Sequence, residues 1–153
     1  MTDPPDLLIN RPNRSGQAEM ADPLSEVLRS VRLTGGIFLD AHFTAPWCVR
    51  SKITPDDCSP YLATPTQIIA YHYVIGGRLV LALEEGATPV EVRAGEIVLL
   101  PRNDGHTLAS EPGLSAVAAN DLIEPGVDGG LARIRYGGGG AQTRIVCGFL
   151  GAE

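Results

Sequence analysis

Aromatic residues are scarce in this chain of 153 residues, at 5%, and lysine is almost missing, with Lys52 the single one beside eleven arginines. The arginine bias reads as genomic rather than functional. Cysteine is equally sparse: Cys48, Cys58 and Cys147 are odd in number, far apart and in no C-x-x-C spacing. That excludes a disulfide framework and a cysteine-only zinc site, and a reducing cytoplasm is the expected setting. No apolar run approaches the ~20 residues of a membrane helix, so a membrane partner is not expected. Positive charge is also short, since acids outnumber bases 18 to 12 and the net charge is −6. A module that grips DNA or RNA by its phosphates carries a basic face, so this chain is not expected to bind nucleic acid directly. The start, Met1 to Asp6, is acidic where an export signal would be basic, and Leu7-Leu8-Ile9 is too short for its apolar core.

What the chain has in quantity is turn residues, 18 Gly and 12 Pro, which point to many short strands within one domain. Residues 1–21 show no apolar period and read as a flexible arm, with the folded domain spanning 22–153. Asp22 and Pro23 form a helix start, N-cap then first helical residue, and Leu24, Val27, Leu28 and Val31 follow at helical spacing before Gly35-Gly36. Beyond them the period is close to two. Strands are predicted at 37–43, 47–51, 67–75, 78–84, 90–93, 97–100, 106–110, 114–121, 131–136 and 143–150, separated by Gly, Pro, Asn and Asp, as in a sandwich or barrel.

One stretch is specific. Gly95-Glu96-Ile97-Val98-Leu99-Leu100-Pro101-Arg102-Asn103-Asp104-Gly105-His106 resembles the second cupin motif, G-x5-P-x-G-x2-H, with Asn103 in place of the second glycine. Asn is the substitute a tight turn tolerates best, because it visits the left-handed backbone region readily. Tyr71 to Leu79 is similar to the end of the first cupin motif. There Thr64 and Thr66 stand where the family has its H-x-H pair, and Ala70 where it has a carboxylate. The usual three-histidine, one-glutamate metal set is therefore missing from those positions. Asp22 to Leu28, Ala45 to Arg50, the His72 strand, Leu99 to His106, and Gly137 to Gly140 followed by Thr143 to Gly148 together resemble the N-terminal sensor domain of one branch of AraC-type transcription regulators. The resemblance implies a mostly β fold: a cupin-like double-stranded β-helix, or jelly-roll barrel, with a short N-terminal helix. It also implies a non-catalytic role in sensing a small effector and forming a homodimer. The family's helix-turn-helix units are absent from this chain.

With Ala70 at an inward position, alternation turns His72 and Val74 inward as well. His106 holds the ligand position of the second motif, and Cys147 shares a face with Thr143, Ile145 and Phe149. His72, His106 and Cys147 are thus candidate ligands for a divalent metal, zinc ahead of nickel or iron, with an open fourth position. The plainer alternative makes the histidines buried core residues bonded to backbone or to Tyr71 and Tyr73, and Cys147 a small core residue. His72, His106, Trp47 and Tyr73 are the candidate effector contacts, although Trp47 with Val49 equally suits the core. His42, alternating with Asp40 and Thr44, is expected to face solvent, and Arg50, which shares a face with Cys48, to face out or across an interface. Arg102, Asn103 and Asp104 read as turn chemistry or as a polar rim. Gly137 to Gly140 lacks the features of a phosphate loop and reads as a flexible connection. An effector or metal in the barrel would shift the arm or the helix at 22–32. The rivals are a small metal-dependent cupin enzyme of isomerase or oxygenase type, and a purely structural dimerisation module.

Overall fold

The structure, a computed structural model, describes residues 22–23, 25–26, 33–58, 67–86 and 88–152. At the start, Pro23, Ser25 and Glu26 are helical. The Glu26 N–H donates to the Asp22 carbonyl at 3.1 Å, and the Ser25 hydroxyl donates to the Asp22 carboxylate. The arm at 1–21 and the rest of the helix expected at 22–32 lie outside the described residues.

From Leu33 onward the chain is almost entirely strand. The elements are β1 (Leu33–Thr44), β2 (Cys48–Ser51), a single helical turn α1 (Pro55–Cys58), β3 (Gln67–Gly76), β4 (Arg78–Leu83), β5 (Val90–Arg93), β6 (Ile97–Leu100), β7 (His106–Ala109), β8 (Val117–Ala118), β9 (Ala132–Gly137) and β10 (Gln142–Ala152). They form two five-stranded sheets, ordered β6-β3-β10-β1-β9 and β5-β4-β7-β2-β8. Neighbours are antiparallel except β1 with β9 and β2 with β8.

Between the sheets the inward side chains of both make one core, including Leu39, Ala41, Phe43, Val74, Ile134 and Ile145 from the first and Val49, Leu79, Leu81 and Leu108 from the second. Period-two alternation carries this directly: Ala70, His72 and Val74 of β3 are buried while Tyr73 and Ile75 are exposed. Phe43 and Trp47 stack with ring centroids 4.0 Å apart and planes within 9°. A smaller cluster of Ile53, Cys58, Ala70, Leu100 and Phe149 closes one end.

The motif turn is held from inside. Asn103 sits at φ 52°, the left-handed region, and is buried. Its side-chain amide accepts from the Ile53 N–H at 3.2 Å and donates to the Ile53 carbonyl, tying β6–β7 to the segment after β2. Of the two readings of this turn, the structure assigns Asn103 a structural one.

Two expectations are corrected. The strand at 114–121 is only the two residues of β8, followed by a 3-10 turn at Ala119–Leu122, because Asn120 and Asp121 favour a turn over continued pairing. The Gly137 to Gly140 connection, which passes from β9 to β10 across the end of β1, is tied down rather than flexible. Gly138 N–H donates to the Thr44 carbonyl, Gly140 N–H to that of Ala45, and Gly139 N–H to the Thr44 hydroxyl. Glycine is required at 137, where φ is 140° and a Cβ would collide with the Thr44 carbonyl. Cys48 is buried even though Arg50 on the same face is exposed.

Candidate functional site

Three of the candidate residues meet inside the barrel. His72 comes from the middle of β3, Cys147 lies opposite it on β10, and His106 opens β7 on the other sheet. All three are buried, at 3%, 4% and 0% exposure. His72 Nδ1 is 2.9 Å from Cys147 Sγ, His72 Nε2 is 2.7 Å from His106 Nε2, and His106 Nδ1 is 2.8 Å from the Asp104 carbonyl oxygen.

That last contact fixes the rest. A carbonyl can only accept, so His106 Nδ1 carries a proton and donates it. A neutral His106 then presents a bare Nε2, which accepts from His72 Nε2–H. His72 Nδ1 is left as an acceptor, and the Cys147 thiol donates to it. The row reads Cys147 S–H to His72, His72 N–H to His106, His106 N–H to the Asp104 carbonyl, and every ring nitrogen in it is satisfied.

The electrostatics agree with a neutral row. Burial, reinforced by the neighbouring His106, lowers the His72 pKa to about 3. Burial lowers His106 too, opposed by its bond to the Asp104 carbonyl and by the charges of Glu84 and Asp104. Burial pushes the Cys147 thiol well above its ordinary range. A thiolate–imidazolium pair would place two charges where neither is solvated.

This arrangement does not fit a single metal ion. His72 turns one nitrogen to Cys147 and the other to His106, so no point is reached by all three donors. The two Nε2 atoms, at 2.7 Å, are closer than the roughly 3.3 Å that separates two ligands of a tetrahedral zinc. Among the described residues no group of three or more His, Cys, Asp or Glu is placed to hold an ion.

The remaining candidates lie elsewhere. Trp47 is in the core, stacked on Phe43, with its indole N–H buried and without an acceptor. Tyr73 points to the opposite face of β3 from His72, so the structure does not bring it to the cluster. His42 is exposed, as alternation predicts, and approaches the Asp40 carboxylate at 3.4 Å. Both histidines are buried, and each turns its ring nitrogens to partners within the row. A cleft of about 840 Å³ lies away from them, lined by residues that include His42, Thr44, Arg135, Gln142 and Arg144. Sequence reasoning passed over Arg135, Gln142 and Arg144. Their outward positions on period-two strands were the only signal, and the register that joins them was not visible.

The two lowered histidine pKa values set the acid stability. In the unfolded chain histidine takes a proton near pH 6.5, whereas the folded protein binds it only at much lower pH, so the unfolded state holds more protons as pH falls. Stability is therefore intact at neutral pH and is lost below about pH 6.5. His72 alone should lower the unfolding free energy from denaturant titrations by about 1 kcal/mol between pH 7 and pH 5.5, and His106 adds to the fall in the same direction. Equal stability at the two pH values would contradict the neutral row.

With fold and site in view, the comparisons place the chain in a class. A family model described as Cupin matches residues 22–153, and the chain belongs to the cupin family. No curated protein gives a significant match. Among solved structures the chain is similar to an HTH_3 family transcriptional regulator from Vibrio cholerae, at 11% identity and a TM-score of 0.36. That likeness covers 72% of this chain and 39% of the other.

Proposed function

We propose that this cupin is a non-catalytic dimerisation and effector-sensing module of the kind AraC-type transcription regulators carry ahead of their DNA-binding units. The observation that carries the reading is the outer face of the first sheet. Ile97, Tyr73 and Val146 lie in one cross-strand row of β6, β3 and β10, and Leu99, Tyr71, Gly148 and Ile37 in the next, which extends to β1. Ile97 and Leu99 are each 55% exposed, and Ile37, Tyr73 and Ile75 are exposed with them. Single exposed apolar residues are ordinary, but rows of them on neighbouring strands mark an interaction surface.

A second copy of this chain is the occupant we assign to that face, because a two-fold dimer buries one patch against itself and so needs no separate partner surface. The three free thiols suit a reducing, cytoplasmic setting. The closed row of Cys147, His72 and His106 supports a role without catalysis, since it offers neither a charged base nor an activated nucleophile. It equally weighs against a metal-dependent enzyme built on those residues. The reading is tested by sedimentation velocity on the wild-type protein and an Ile97→Glu, Leu99→Glu variant. A dimer converted to a folded monomer supports it, and a wild-type monomer overturns it.

A further inference from the structure

Inside the barrel the ring nitrogens of His72 and His106 are spent on each other, on Cys147 and on the Asp104 carbonyl, which leaves none of them to an effector. The geometry points instead to the outer cleft on β1, β9 and β10 as a binding site for a small oxyanion, a carboxylate or phosphate group; the inference rests on the sensing role proposed above. Register makes the site. His42 pairs with Arg144 on one side and with Arg135 on the other, so Arg135, His42 and Arg144 form one cross-strand row on the outer face. The next row places Thr44 between Gln142 and Gly137, and Gly137 has no side chain to fill the space. Five outward side chains that can donate hydrogen bonds thus line one cleft of about 840 Å³.

The charge balance of that cleft is local and positive, although the whole chain carries −6. Asp40 is the adjacent carboxylate, one row away, and Arg144 already engages both of its oxygens, through Nε at 3.2 Å and Nη2 at 3.1 Å. The guanidinium bond holds the Asp40 pKa below the usual carboxylate range, so this pair stays formed at neutral pH. It also fixes the Arg144 side chain in place with its other N–H groups unspent. Arg135 makes no ion pair with a described residue. The Thr44 hydroxyl accepts from the Gly139 N–H, which leaves its own proton to donate. A planar guanidinium without a carboxylate, beside neutral donors and a second, pre-positioned guanidinium, is the donor set that recognises carboxylate and phosphate oxygens.

The test titrates the 15N-labelled full chain with sodium phosphate and, separately, sodium succinate at constant ionic strength. Saturable shifts centred on residues 42–44, 135–137 and 142–144 with either salt support the site, and the salt that saturates identifies the headgroup. Arg135→Gln should weaken binding at least tenfold. Arg93→Gln, which removes an exposed arginine from β5 on the other sheet, should bind as wild type. No saturation with either salt, or equal affinity in Arg135→Gln, overturns the inference. A dimer that binds neither salt would sink this inference alone, whereas a monomer that binds one would sink the dimerisation reading alone.

Discussion

Replacing His72 with alanine should cost about 3 to 5 kcal/mol of unfolding free energy, the largest effect expected of any substitution in the buried row. Two terms add. The imidazole is the central link, so its loss strands the Nε2 of a fully buried His106 and the Cys147 thiol together. It also leaves a cavity among close-packed core side chains. A fall of roughly 10 to 15 °C in thermal midpoint is the corresponding readout. His72→Leu separates the two terms, because leucine restores most of the volume and none of the pairing. It should still lose about 1 to 3 kcal/mol, the cost of an unpaired buried polar group. If His72→Leu were as stable as wild type, the row would be packing alone.

The second large effect is on assembly. Ile97 and Leu99 project away from the core on β6, the edge strand of the first sheet, so charging both leaves the barrel interior untouched. In the dimer the same two charges would be taken out of water without partners, once in each subunit. The dissociation constant should rise more than a hundredfold, equivalent to about 3 kcal/mol. Circular dichroism should show an unchanged β spectrum while sedimentation shows half the mass. An unaltered dimer would move the interface to another face.

Much of this was legible in the sequence because alternation is a local property. Ala70, His72 and Val74 turn inward together, and so do Thr143, Ile145, Cys147 and Phe149, as the period of two requires. Ten strands are expected from the sequence and ten are present among the described residues, with the clear difference at 114–121, where apolar residues give way to Asn120-Asp121. The motif turn was legible too, since Asn103 takes the left-handed backbone that its place in the motif demands.

What the sequence could not give was pairing between distant strands. That Cys147 lies opposite His72 depends on the register of β3 against β10, and that His106 meets the other ring nitrogen depends on how the two sheets stack. Reading three inward donors as one metal site assumed that they converge on a point. The folded chain strings them in a line, because His72 stands between its partners. The arginine row was hidden for the same reason: Arg135 and Arg144 become neighbours of His42 only through the parallel pairing of β9 and the antiparallel pairing of β10.

Where the family's metal ligands point inward, this chain holds a closed row of neutral hydrogen bonds. Long-range 15N–1H correlation spectra of histidine-labelled protein at pH 7, recorded without and with one equivalent of zinc, test it most directly. The row predicts His106 protonated at Nδ1, His72 protonated at Nε2, and neither pattern moved by zinc. An imidazolium at either residue, or a His72 Nε2 that loses its proton signal and shifts together with His106 Nε2 when zinc is added, would contradict it.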